Sequence, residues 1–294
     1  MKRLFIIMIL AGLLATSFSQ DLKFMTYNIR FDNPADGADR WDARKSFLAD
    51  QVKFYSPDVM GTQEGLLHQL DYLDSCLLSY AYTGVGRDDG KQKGEFTAIF
   101  YNKENLELIE STSFWLSETP EKVSVGWDAA LPRICTYALF SVKASGMQFY
   151  VFNTHFDHIG EQARINSTDL IIEKVKAINM KGFPVVVMGD FNLEPGSEAI
   201  RKMSAFLPDS RFSATEVAFG PGGTFNAFDF SSPVTRRIDY IFTDPSKFKV
   251  LKYAVLSDSK DLHYPSDHLP VFVEVIHPTR AKKKARSKKL PGSL

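Results

Sequence analysis

The chain has 294 residues, 44% apolar and 24% charged, with two cysteines, Cys76 and Cys135. That is the composition of a globular chain, and two thiols exclude a disulfide scaffold. The formal charge of zero is uneven: with the basic residues of the two ends set aside (Lys2, Arg3 and seven between Arg280 and Leu294), 26 basic face 35 acidic residues, a balance that argues against a protein built to grip long nucleic acid.

In chain order, residues 1–20 read as a signal peptide. Lys2 and Arg3 form the basic start, and Leu4 to Leu14 is apolar but short for a bilayer span. Ser17-Phe18-Ser19 offers a small-x-small cleavage site before Gln20. An exported product, periplasmic or secreted, is expected. No later apolar run reaches membrane length. Residues 21–278 show no composition shift and read as one catalytic domain. Residues 279–294 form a basic, low-complexity tail expected to be disordered.

Within the domain, Leu22 to Ile29 reads as a strand, with Leu22, Phe24 and Thr26 on one face and Asn28 at its end. Asp42 is placed to cap a helix running to about Tyr55, stopped by Pro57. A second strand, Asp58 to Thr62, ends in Gln63-Glu64. Strand-like runs follow at Phe96–Tyr101, Leu106–Leu116, Ile134–Val142 and Gln148–Asn153. Cys135 falls in one of them and is expected to be a buried free thiol. Glu161 to Lys181 is a helix with Ile165, Ile171, Ile172, Val175 and Ile178 as its apolar stripe. Pro184 to Met188 makes a buried strand that breaks at Gly189 and delivers Asp190 and Asn192. Late strands are expected at Arg237–Phe242 and Val271–Ile276.

A strand–helix–strand unit spans Asn28 to Glu64, 36 positions, and recurs from His155 to Asp190, 35 positions. Each begins and ends with a polar residue at a strand tip. Two such units suit two sheets face to face with helices outside: an α/β fold, a four-layer α/β/β/α sandwich. Strand ends are where α/β proteins open crevices.

The strand-end set is Asn28, Glu64, His155, Asp190 and Asn192, joined by Asp239 within its strand and Ser266-Asp267-His268 before the last one. It is rich in carboxylate and carboxamide oxygen and has no thiolate. Such donors favour Mg²⁺, with Mn²⁺ or Ca²⁺ as alternatives, over zinc. A hard cation beside water-positioning groups is the equipment for attack on phosphorus. Bland readings stand beside this one: Asn28 bonding a turn, Glu64 capping the following helix, Asp239 paired with Arg236 or Arg237, His155 satisfied in the core. Burying so many polar groups at strand ends asks for a common reason.

In these motifs the chain resembles the endonuclease/exonuclease/phosphatase superfamily. Thr26-Tyr27-Asn28-Ile29, Gln63-Glu64, Asn153-Thr154-His155, Gly189-Asp190-Phe191-Asn192, Ile238-Asp239-Tyr240 and Ser266-Asp267-His268 match its motifs in order. The resemblance implies a metal-dependent phosphoesterase. Glu64 would be the main metal ligand, with Asn28 nearby on metal or phosphate. Asp190 would orient or deprotonate the attacking water, and Asn192 would hold phosphate. His268 would bond the scissile phosphate or transfer a proton, oriented by Asp267 unless that carboxylate joins the metal. Histidine at 155 resembles the deoxyribonuclease, sphingomyelinase and deadenylase branch, and in the deoxyribonuclease a glutamate supports it. Glu95 takes that place here, and a Glu95–His155 pair would act as general acid.

Gly84-Val85-Gly86-Arg87, Lys93-Gly94-Glu95-Phe96, Phe114-Trp115-Leu116-Ser117 and Pro132-Arg133-Ile134-Cys135 are similar to an exported bacterial subfamily. Arg87 and Arg133 would clamp phosphate, or pair with surface acids. Trp41, Trp115, Trp127 and Phe225 would line a pocket, or pack in the core. Gly220-Pro221-Gly222-Gly223 would shape a rim. The expected partner is a phosphoester. The acidic domain favours a small or lipid-head substrate over nucleic acid, with a nuclease as the nearest rival and a catalytically silent binding module behind it.

Overall fold

Alternation along the strands decides the layers. The computed structural model describes residues 20–277; the expected signal peptide, apart from Gln20, and the basic tail lie outside the described residues. The elements are β1 (Gln20–Asn28), α1 (Trp41–Tyr55), β2 (Val59–Gln63), α2 (Leu67–Cys76), β3 (Tyr80–Thr83), β4 (Ile99–Asn102), β5 (Leu106–Trp115), β6 (Ile134–Val142), β7 (Gln148–His155), α3 (Glu161–Ile178), β8 (Val185–Asp190), α4 (Glu198–Phe206), α5 (Ser210–Ser213), β9 (Asp239–Thr243), β10 (Lys249–Val255) and β11 (Val271–His277). One sheet has the order β10-β11-β1-β2-β4-β3, the other β5-β6-β7-β8-β9.

Successive side chains on a strand point to opposite faces. In β1, Leu22 and Phe24 enter the core between the sheets, while Met25 and Tyr27 face α1 and α2. In β8, Val186 and Met188 face inward, and Val185 and Val187 pack under α3 and α4. Both central strands are thus apolar on both faces, which is why they read as uninterrupted hydrophobic runs. The result is the expected four-layer α/β/β/α sandwich. Cys135 is buried and unpaired. No helix among the described residues is long and apolar enough to cross a membrane.

The recurring strand–helix–strand units become two parallel pairs, β1/β2 and β7/β8, at the middle of the two sheets. A buried polar contact joins the sheets beside their C-terminal ends. Gln63 Nε2 donates to Asn153 Oδ1 at 2.7 Å, and Asn153 Nδ2 donates to the carbonyls of Thr62 (3.0 Å) and Ala98 (2.8 Å). Gly61 makes room for it: a Cβ there would stand 2.5 Å from Asn153 Oδ1.

Several boundaries differ from expectation, three of them for a visible reason. The first helix begins at Trp41, and Asp42 lies inside its first turn, bonded to Lys45, instead of capping it. α3 stops at Ile178 because Asn179 folds back onto both the amide and the carbonyl of Phe183. Its buried face is Ala163, Ser167, Thr168, Ile171 and Val175, leaving Ile165 at the margin. β9 begins at Asp239, not Arg237, because Thr224 Oγ1 accepts the amides of Ile238 and Asp239 before pairing starts.

Candidate active site

The C-terminal tips of the two parallel pairs meet. Asn28, fully buried, donates from Nδ2 to Glu64 Oε1 and to Asp190 Oδ2, both at 3.0 Å. Its Oδ1 accepts the Arg30 amide at 3.0 Å. In this rotamer Asn28 draws two carboxylates together and does not present an oxygen to a cation. Glu64 also accepts the Phe31 amide at 3.2 Å. It does not cap α2, where Gln69 reaches back to the Leu66 amide. Arg30, Glu64 and Asn192 all hold left-handed backbone (φ 56°, 65° and 51°). Such conformations cost energy and concentrate where the surroundings enforce them.

Asp190 and Asn192 are aimed by Gly189. At φ +147° it brings β8 so close to β7 that a Cβ would lie 2.0 Å from the Thr154 carbonyl oxygen. Asp190 Oδ1 accepts the Asn192 amide at 2.8 Å. Burial, reinforced by the Asp239 charge, pushes the Asp190 carboxyl up to about 7. Asn192 Nδ2 donates to the Phe156 carbonyl (3.0 Å) and stands 3.2 Å from His155 Nε2, so the amide implied for phosphate is already engaged.

His268 Nδ1 bonds Asp239 Oδ2 at 2.9 Å, and its Nε2 lies 3.9 Å from Asp190 Oδ2. The orienting carboxylate is therefore Asp239, from the neighbouring strand, and not Asp267, the sequence neighbour. Asp239 is not ion-paired with Arg236 or Arg237: Arg237 binds Asp209 at 2.7 Å. Burial alone would lower His268, but Asp239, Asp190 and Asp267 outweigh it and push it up to about 10. Asp267 lies 3.7 Å from Arg30 Nε. Its carboxyl is raised, first by burial and then by Glu64.

The expected Glu95–His155 general acid is not assembled. Glu95 is gripped by both terminal nitrogens of Arg87 (2.7 and 2.8 Å), and the nearest His155 nitrogen is 3.7 Å away. Burial, then the charges of Arg133 and Arg87, hold His155 well below the ordinary histidine range. Burial, aided by Glu64, raises Glu95 to about 7 even against the two guanidinium charges. Arg87 is spent on Glu95 and does not face the open cavity. Arg133 does, with its fork directed at Asp157, His155 and His158.

The cavity these residues surround has a volume of about 450 Å³. It is lined by Glu64, Glu95, Arg133, His155, Asp190, Asn192, Phe225, Asp267 and His268, by Ile238 of the Ile238-Asp239-Tyr240 motif, and by four residues not singled out beforehand: Arg30, Phe31, Leu131 and His158. Arg236 completes the rim. Trp41 packs in the core against Tyr72. Trp115 donates to the Arg87 carbonyl. Neither they nor Trp127 line the cavity; no residue of the Gly220–Gly223 loop lines it either, though Gly223 packs against the backbone of the rim residue Arg236. Arg30 lies two residues beyond Asn28 and His158 three beyond His155. Proximity to a strand-end polar residue was the signal available for both.

The donor set fits a hard divalent cation. Glu64, Asp190 and Asp267 all line the cavity, and the Arg30 guanidinium stands 3.9 Å from Glu64 and 3.7 Å from Asp267 while its Nε and Nη2 hydrogen-bond Asp36 at 3.0 and 2.9 Å. Glu64, His155 and Asp190 each bring a ligand atom within 4.8 Å of the others, as do Asp190, Asp239 and His268. Asp239 Oδ1 is buried with no hydrogen-bond partner. Crowded buried carboxylate oxygen is costly unless enough positive charge meets it, and a bound cation would add to what Arg30 and His268 supply.

A profile of the Endonuclease/Exonuclease/phosphatase family matches residues 25–268. The fold is similar to that of a Bacteroides thetaiotaomicron protein of this family, 40% identical, with a TM-score of 0.85, over 88% of this chain and 99% of that one. It is also similar to a mannosyl-6-phosphatase of Bacteroides thetaiotaomicron VPI-5482, 42% identical, with a TM-score of 0.82, over 86% and 99% of the two chains. Mouse nocturnin is 22% identical across 86% of this chain. The chain spans 57 to 65% of the length of the first curated relatives it matches.

Proposed function

The chain belongs to the endonuclease/exonuclease/phosphatase family, whose members are metal-dependent phosphoester hydrolases, and on that premise we propose that it is an exported Mg²⁺-dependent phosphatase of a small phosphomonoester, a sugar phosphate. The observation that carries this reading is the cavity itself. Arg133, Arg236 and His268, with an Arg30 shared with Asp36, line a space of about 450 Å³ beside the carboxylate cluster. That size suits a small ligand, and the density of positive groups suits a phosphate dianion. The described residues carry 26 basic against 35 acidic groups, a poor basis for tracking a long phosphate backbone. The 42% identity to a mannosyl-6-phosphatase supports a sugar as the alcohol.

Glu64 and Asp267 would hold the cation, whose bound charge would stabilise the phosphoryl oxygens and the departing oxygen. The chain's own groups do the rest. Asp190, its carboxylate steadied by Asn28 and by the Asn192 amide, takes a proton from the attacking water. Asp239 fixes His268 through Nδ1, so that Nε2–H faces Asp190 and the cavity and donates to a phosphoryl oxygen. As the new P–O bond to water forms, the ester P–O bond breaks in line with it; the departing oxygen takes a proton from solvent, and the proton held by Asp190 is released in turn, giving phosphate and the free alcohol.

With Mg²⁺, purified protein should hydrolyse hexose 6-phosphates and p-nitrophenyl phosphate faster than bis-p-nitrophenyl phosphate, and leave supercoiled plasmid intact. Excess EDTA should abolish turnover and Mg²⁺ restore it. Plasmid nicking that outpaces monoester hydrolysis, or turnover unaffected by EDTA, would sink the proposal.

A further inference from the structure

The cavity contains a second histidine that the catalytic groups leave unused. We propose that His158 is a substrate-binding residue, donating from Nε2 to a hydroxyl of the alcohol that carries the phosphate. The inference rests on the phosphomonoesterase reading above.

Arg133 sets the donor. A guanidinium only donates, and Arg133 Nη2 lies 3.0 Å from His158 Nδ1. Nδ1 must therefore be the accepting nitrogen, and Nε2 carries the ring hydrogen. No hydrogen bond engages Nε2 among the described residues. The backbone beneath is fixed as well. Asp157 Oδ1 accepts the amides of Ile159 (2.9 Å) and Gly160 (2.8 Å), and its Oδ2 accepts the Ala130 amide at 3.1 Å. The Nε of Arg133 bonds Asp157 Oδ2 at 3.3 Å. Ring and guanidinium are thus held by one carboxylate, and a donor held in advance loses little freedom on binding.

Position assigns its partner. Side-chain exposure is 1% at Asp190, 7% at His155 and 5% at Arg133, but 50% at His158. A phosphorus atom beside Asp190 sits at the closed end. The remainder of the substrate then occupies the outer cavity, where His158 is the lining group with an unspent neutral donor. An alcohol rich in hydroxyls satisfies it; an aryl group does not. Arg133 is accordingly a positioning residue for both histidines.

The test compares a hexose 6-phosphate, its monodeoxy analogues and p-nitrophenyl phosphate on wild type, His158→Ala and His158→Gln, with thermal denaturation as the folding control. His158→Ala should lower the kcat/KM ratio of hexose 6-phosphate to p-nitrophenyl phosphate about three- to tenfold, the value of one hydrogen bond, mainly through KM. His158→Gln, which keeps a donor near the same point, should recover much of it. One deoxy analogue should show the loss with wild type and no further loss with His158→Ala. An unchanged ratio, or deoxy effects that all add to the substitution, overturns the inference. So does wild type that processes p-nitrophenyl phosphate but no hexose phosphate, an outcome that leaves the phosphatase reading standing. Wild type inert on every monoester takes down both.

Discussion

Asp157→Asn probes how one carboxylate supports the site from behind it. Burial by itself would raise Asp157. The amides of Gly160, Ile159 and Ala130 and the Arg133 charge together outweigh it and take the carboxyl from its ordinary 3.8 to about 2. That difference corresponds to about 2.5 kcal/mol, which solvent screening reduces to roughly 1–2 kcal/mol. The substitution also turns one acceptor into an NH₂ group facing donors, either the Ile159 and Gly160 amides or the Ala130 amide with Arg133 Nε. Donors left facing a donor cost a further ~1–3 kcal/mol. The variant should be less stable by roughly 2–5 kcal/mol at neutral pH. A carboxyl lowered on folding contributes fully above its unfolded value and loses the contribution as pH falls through the folded one. The charge part of the gap should therefore be intact at pH 5, about half gone by pH 3, and nearly absent below about pH 2. Urea midpoints of wild type and Asp157→Asn across that range measure it directly, because other titrating groups cancel between the two proteins. A gap that stays constant from neutral pH down to about pH 3 would show that the charge contributes nothing, and would refute the reasoning.

Other expectations follow from the same geometry. His268→Ala and Asp190→Ala should each lower kcat by about 10²–10³-fold without a matching fall in Tm; a change below tenfold would remove that residue from the proposed mechanism. Mg²⁺ should raise the Tm of wild type in a concentration-dependent way, as any ligand of the folded state does, and Glu64→Gln should erase the rise; an undiminished response would place the cation elsewhere. Asn153→Leu strands Gln63 and two carbonyls between the sheets and should cost about 2–4 kcal/mol in urea denaturation. A near-neutral result would mean that the polar joint between the sheets is dispensable.

The sandwich was legible because its central strands are apolar on both faces and end abruptly in polar residues. Glu64, Asp190 and His155 announce themselves by interrupting runs that have no other reason to stop. Edge elements carry no such contrast. β3 is four residues long with one buried position, and β10 alternates buried and exposed residues among lysines, so neither stood out from loop. Within the site, sequence proximity was a good guide to which residues meet and a poor guide to which pair. Asp267 stands beside His268 in the chain, yet adjacent side chains diverge, and Asp239 of β9 supplies the bond to Nδ1. Glu95 was matched to His155, but no sequence pattern reveals that Arg87 lies closer to it than the histidine does. That pairing changes the chemistry. Burial and the guanidiniums of Arg133 and Arg87 hold His155 well below the ordinary histidine range, whereas the surrounding carboxylates raise His268, which is why the proposed mechanism uses His268 as the donor to phosphate. The motifs therefore specify the reaction class, whereas the partners chosen across the sheets set the electrostatic surroundings of each histidine.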